Sequence, residues 1–144
     1  MKFLELFDSR DKKTRLSHIR NLLALALIDG SLEDSEMKLI FKIGIRSGLQ
    51  PEELNRIFER PDSISFVPPN NFRDRIEQLY DMVMVMMVDG EIHPNEIGLC
   101  KVIAIRLGFH TTVIDKIIQN IIESIAQGIV SDIALSRLMK ILDN

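Results

Sequence analysis

The chain has no tryptophan, one tyrosine and one cysteine. A single cysteine excludes an internal disulfide and fits a reducing compartment. With little to stack on bases and a net charge of -3, the surface is a poor match for nucleic acid. No apolar stretch approaches the ~20 residues that a spanning helix requires. Met1–Phe7 is short and is broken at once by Asp8, Arg10 and Asp11, so no secretory leader is expected and the reading is cytoplasmic. No glycine-rich phosphate loop is present, and no serine or cysteine has a helix-paired histidine that would activate it. Nothing in the chain therefore names a reaction. Pro61–Asn70, containing Pro68-Pro69, is the one clear linker.

What remains is the composition of one globular domain. The 144 residues are 46% hydrophobic and 27% charged, enough to build a sizeable core. Within them one unit occurs twice. Asp29-Gly30-Ser31-Leu32-Glu33-Asp34-Ser35-Glu36 returns sixty residues later, without a gap, as Asp89-Gly90-Glu91-Ile92-His93-Pro94-Asn95-Glu96. Each copy follows a seven-residue apolar run, Leu22–Ile28 or Met82–Val88. Each precedes a helical pattern closed by a basic residue and a glycine, Arg46 and Gly48 or Arg106 and Gly108.

The pattern reads as helix almost throughout. Lys12–Ile28 carries apolar residues at 16, 19, 22, 23 and 26, one helical face, and is apolar on all sides from Leu22 onward. Gly30 suits the left-handed stop of that helix. A second helix is expected from about Asp34 to Ser47, and a third from Pro51 to Phe58. Phe72–Val88 contains a Met/Val alternation that resembles a strand, but its aligned partner Leu22–Ile28 favours helix. Pro94 opens a helix to about Gly108. Thr111 or Thr112 is expected to cap another to about Gln127, and Ser131 a last one to Ile141 that covers exposed core. The expectation is an all-α, compact domain over 1–144. It has about seven helices, with repeats at about 15–58 and 75–118 related by a pseudo-two-fold axis around the two apolar helices.

The duplicated acidic tip is the candidate site. Asp-Gly followed by an apolar residue and a glutamate matches positions 5, 6, 8 and 12 of an EF-hand loop. Positions 1 and 3 would be Leu25 and Leu27, or Val85 and Met87, which cannot ligate calcium, so a standard EF-hand is rejected. Each copy keeps a two-carboxylate half-site: Asp29 with Glu36, and Asp89 with Glu96. Glu33, Asp34, Glu91 and His93 are weaker additional ligands. Asp29 and Asp89 follow helix C-termini, where the dipole already disfavours a negative charge. A divalent cation such as calcium or magnesium would offset the crowding. The competing reading needs no metal: the aspartates make Asx-turns, and Glu36 and Glu96 complete capping boxes at N3.

Other residues read as packing. Met82, Met84, Met86 and Met87 point in several directions on a helix and fit gap-filling better than soft-metal binding. Cys100 aligns with Ile40 on an apolar stripe and reads as a buried thiol. Arg10, Lys12, Lys13, Arg15 and Arg20 could meet anionic lipid at a membrane surface, or an acidic partner, or form a solvated helix face.

The apolar helix, Asp-Gly, an apolar residue, a glutamate six after the glycine, and a helix ending in Leu107-Gly108 together resemble the TerB-like family. That family includes the tellurite-resistance protein TerB and the N-terminal region of the DjlA co-chaperone. The likeness covers roughly Arg15–Ile57 and Arg75–Ile118. It implies an all-helical fold with acidic patches that bind divalent metal at Asp29, Glu36, Asp89 and Glu96. It also implies a non-catalytic, protein-partnered role near stress-response or membrane-associated complexes. Here Ile28 and Val88 stand where the family usually has alanine before Asp-Gly.

Overall fold

The structure is a computed structural model that describes residues 2–129 and 131–143. Among them it contains seven α-helices and no strand: α1 (Lys2–Leu27), α2 (Asp34–Arg46), α3 (Pro51–Glu59), α4 (Phe72–Met87), α5 (Pro94–Leu107), α6 (Thr111–Ala126) and α7 (Ser131–Asp143). The linker adds one short 3₁₀ turn, Pro61–Ser63. None of the described helices is long and apolar enough to cross a membrane.

Several helix boundaries have a local cause. α1 and α4 stop before glycines held at φ +101° and +90° (Gly30 and Gly90), a left-handed conformation that disfavours any side chain. Pro51 and Pro94 open α3 and α5, where a missing N–H costs nothing. Asn71 caps α4 by accepting from the Asp74 N–H at 2.8 Å. The threonine cap expected for α6 is corrected: Thr111 is already helical, and His110 holds the capping position without a side-chain bond. Ser131 is likewise the first residue of α7, and the residue before it lies outside the described residues. α1 begins ten residues earlier than the apolar stripe indicated, at Lys2 instead of Lys12.

The core is built on α1 and α4. Leu22, Leu23 and Leu25 of α1 pack with Met82, Val83, Val85 and Met86 of α4, all buried. Burial of each such side chain stabilises the fold by roughly 1.5–3 kcal/mol. The Met/Val run is helical: Met82 and Met86 are fully buried, while Met84 and Met87 lie at the core margin. The apolar runs do not stay buried to their ends, since Leu27, Ile28 and Val88 emerge into solvent. α7 covers the far side through Ala134, Leu135 and Leu138, against α4 and α6.

Three contacts give the relative direction of the two central helices. Arg10 donates to Asn70 at 2.8 Å, His18 meets Asp81 at 2.9 Å, and Asn95 donates to Asp29 at 3.4 Å. Residue number rises together on both chain segments, so α1 and α4 run side by side in the same direction. Their C-termini therefore end at the same pole of the molecule, and the loops that follow them are brought together there.

Candidate metal centre at the shared helix ends

Both acidic turns are folded in nearly the same way. The Gly30 N–H donates to the Leu27 carbonyl at 2.9 Å, and the Gly90 N–H to the Met87 carbonyl at 3.0 Å. Three residues on, the Glu33 N–H donates to Glu36 Oε1, and the His93 N–H to Glu96 Oε1, each at 3.2 Å. Glu36 and Glu96 thus sit at N3 of α2 and α5 and satisfy an orphan donor, as the capping reading expected. Both are buried despite their charge, at 4% and 3% exposure. The aspartates differ. Asp89 Oδ1 accepts from the Glu91 N–H at 3.2 Å, an Asx-turn. Asp29 Oδ1 instead accepts from Asn95 of the other turn at 3.4 Å.

That last contact changes the geometry of the site. The sequence suggested two separate half-sites; the fold places them beside one another. Asp29 from the first turn converges with His93 and Glu96 from the second, with one donor atom of each lying within 4.8 Å of the others. The carboxylates also feel one another. Burial pushes the Glu36 carboxyl above the usual range; the Glu33 N–H opposes this, and the charges of Asp89, Glu33 and Asp29 add to it. Burial likewise raises Glu96, against the His93 N–H, with Glu36 and Asp89 adding to the shift. No Lys or Arg forms an ion pair with any of these acids among the described residues.

The helix dipoles act in both senses. The C-termini of α1 and α4 bring negative ends to this pole, while the N-termini of α2 and α5 bring positive ends to Glu36 and Glu96. Capping accounts for those two glutamates; it does not account for Asp29 leaning across to the second turn. Asp34 and Glu91 are exposed and belong to the periphery, as does Glu33 apart from its charge. Cys100 is fully buried, with its thiol pushed up to about 12 by desolvation, and it packs in the core away from the two acidic turns.

A second polar group was not foreseen. His18 Nε2 lies 2.9 Å from Asp81 Oδ2, and Arg46 Nη2 lies 3.2 Å from each Asp81 oxygen. His18 and Asp81 are buried, and His18 Nδ1 has no hydrogen-bond partner. Arg46 and Asp81 border two neighbouring cavities of about 280 and 300 Å³. The available signal was a polar residue interrupting an apolar helix, Asp81 directly before Met82 and His18 within the first apolar stripe.

Most of the basic cluster on α1 bonds to its own chain, although Arg10 and Lys12 stay exposed. Arg10 bonds Asn70, Lys12 pairs with Glu53, Arg15 holds Asp11 and the Ser47 carbonyl, and Arg20 holds the Ile64 carbonyl. Lys13 is exposed. These bonds fasten the linker, α2 and α3 to α1.

No protein-family model matches the chain, and comparison with curated proteins and with solved structures gives no match either.

Proposed function

We propose that the protein is a non-catalytic, TerB-like helical module that binds a divalent cation at the pole where its two acidic turns meet. In this reading the halves 15–58 and 75–118 are related by a pseudo-two-fold axis passing between α1 and α4. The bound ion ties the two halves together, and the ion-loaded pole is the surface offered to a protein partner in a stress-response or membrane-associated complex. The convergence of Asp29 with His93 and Glu96 carries this reading. Residues more than sixty apart have no local reason to meet, and a cation offsets the repulsion their meeting creates.

Thermal melts of the chelator-treated chain with added calcium, magnesium, manganese or zinc test it. An ion that binds only the native state raises stability by about 2.7 kcal/mol at a hundredfold excess over Kd. Asp29→Ala and Asp89→Ala should each reduce that gain. A chain whose melting is indifferent to all four ions would remove the proposal.

One observation favours a metal-free alternative, a protein-interaction scaffold whose acids only cap helices. Glu36 and Glu96 both make the expected capping bond. In that case Glu36→Ala and Glu96→Ala lose stability equally with and without metal.

A further inference from the structure

We infer that the ion is of the borderline class, zinc(II) or a close relative, and is held off-axis by Asp29, His93 and Glu96 instead of on the axis by oxygens alone. This rests on the cation-binding reading above and adds to it which ion is taken and through which half.

The two turns share their glycine geometry and their N3 carboxylate bond, yet differ where the metal would choose. Glu33 in the first turn is aligned with His93 in the second. The three-donor constellation forms only on the histidine side; among the described residues, Asp29, His93 and Glu96 are the one such group. Calcium takes six to eight oxygens and magnesium keeps an octahedron of them. An imidazole with two carboxylates and a water suits zinc, cobalt or nickel.

The dimensions are close to those required. Tetrahedral bonds of about 2.0–2.2 Å place donor atoms roughly 3.4 Å apart. The observed atoms lie within 4.8 Å, so no pair needs to close by more than about 1.4 Å. The Glu96 carboxylate is held beside the His93 backbone by the 3.2 Å bond from the His93 N–H and by its own burial. Asp29 is exposed and held only by the long 3.4 Å bond from Asn95. It is the member that can move in, and Asn95 then returns to solvent.

Raw affinity does not test this, because most nitrogen and oxygen sites prefer zinc to magnesium. The substitution His93→Glu does, since it gives the second turn the residue found in the first and keeps the fold. Titration calorimetry of the chelator-treated full chain with zinc chloride should show one site, weakened by more than about tenfold in His93→Glu, with magnesium and calcium binding unchanged or tighter. His110→Gln should leave zinc affinity as it was, and zinc should shift the His93 ring nitrogens in ¹⁵N spectra. Far-UV circular dichroism checks that each variant is folded, and Asp29→Asn gives a second loss of zinc affinity without touching the cap. Zinc affinity equal in wild type and His93→Glu, with unmoved His93 resonances, overturns this inference and leaves general cation binding standing. If no ion binds either protein, both readings fall.

Discussion

His18 on α1 and Asp81 on α4 are joined by a 2.9 Å hydrogen bond at the centre of the pair of helices that forms the core. Arg46, at the last turn of α2, closes over the same carboxylate. One buried acid thus joins three helices, two from the first half and one from the second. Its partners contribute unequally, because the His18 side chain is 8% exposed and that of Arg46 is 61% exposed. Asp81→Ala should destabilise the chain by about 2–3 kcal/mol, the range for hydrogen bonds to a charged group that leave a buried partner unmet. Arg46→Ala should cost less than about 1 kcal/mol, because solvent screens an exposed guanidinium. Urea denaturation of the two variants decides the order; an equal loss would mean that Arg46 is the principal partner.

Two glycines inside helices should respond to alanine with opposite signs. A Cβ on Gly44 would clash with Leu54 Cδ2 in the contact between α2 and α3, and Leu54 is fully buried. Overpacking of this kind costs about 1–3 kcal/mol, more than the helix propensity that alanine returns. Gly98 in α5 has open space at the same position, so Gly98→Ala should gain up to about 1 kcal/mol. Melting temperatures of the pair provide the measurement, and stabilisation by Gly44→Ala would contradict the packing described.

Burial raises the Glu36 and Glu96 carboxyls above their ordinary value of 4.5. In the window just above that value the native state therefore holds more protons than the unfolded chain, and stability from these groups falls as pH rises through the window. Once ionised, these buried carboxylates oppose folding. Glu36→Gln and Glu96→Gln keep an oxygen to accept the Glu33 or His93 N–H while removing the charge. Each should flatten the stability profile just above pH 4.5 and raise stability at the upper end of that window. A wild-type chain that loses stability steadily on acidification through that window, with Gln variants that follow it, would contradict the assignment.

Cys100 is fully buried with its thiol pushed up to about 12, so almost none is thiolate at neutral pH. Ellman's reagent should label the native chain only at the rate of unfolding and label it at once in denaturant. Rapid labelling of the folded protein would place the thiol elsewhere than in the core.

Legibility differed between kinds of residue. Gly30, Gly90, Pro51 and Pro94 marked boundaries correctly because each acts through its own backbone. Cys100 was read as buried from a single apolar stripe, since helical periodicity is also local. Thr111 was misread as a cap, because several polar residues near a helix start compete for that place and only the backbone angles choose His110. The role of Asp81 could not be read at all. Its partners come from α1 and α2, at sequence separations of 63 and 35 residues.

The amino-acid sequence by itself determined that the protein is helical and that one helix–turn–helix pattern is written twice. Both follow from interactions within a few residues. It also determined that each copy ends its central helix in carboxylates, because repetition is visible in the letters. Only the tertiary structure decided that these carboxylates share one pole, with Asp29 beside His93 and Glu96. The reason is the direction of α1 relative to α4. Burying their apolar faces together aligns the two helices, and that alignment brings distant like charges within reach of one another.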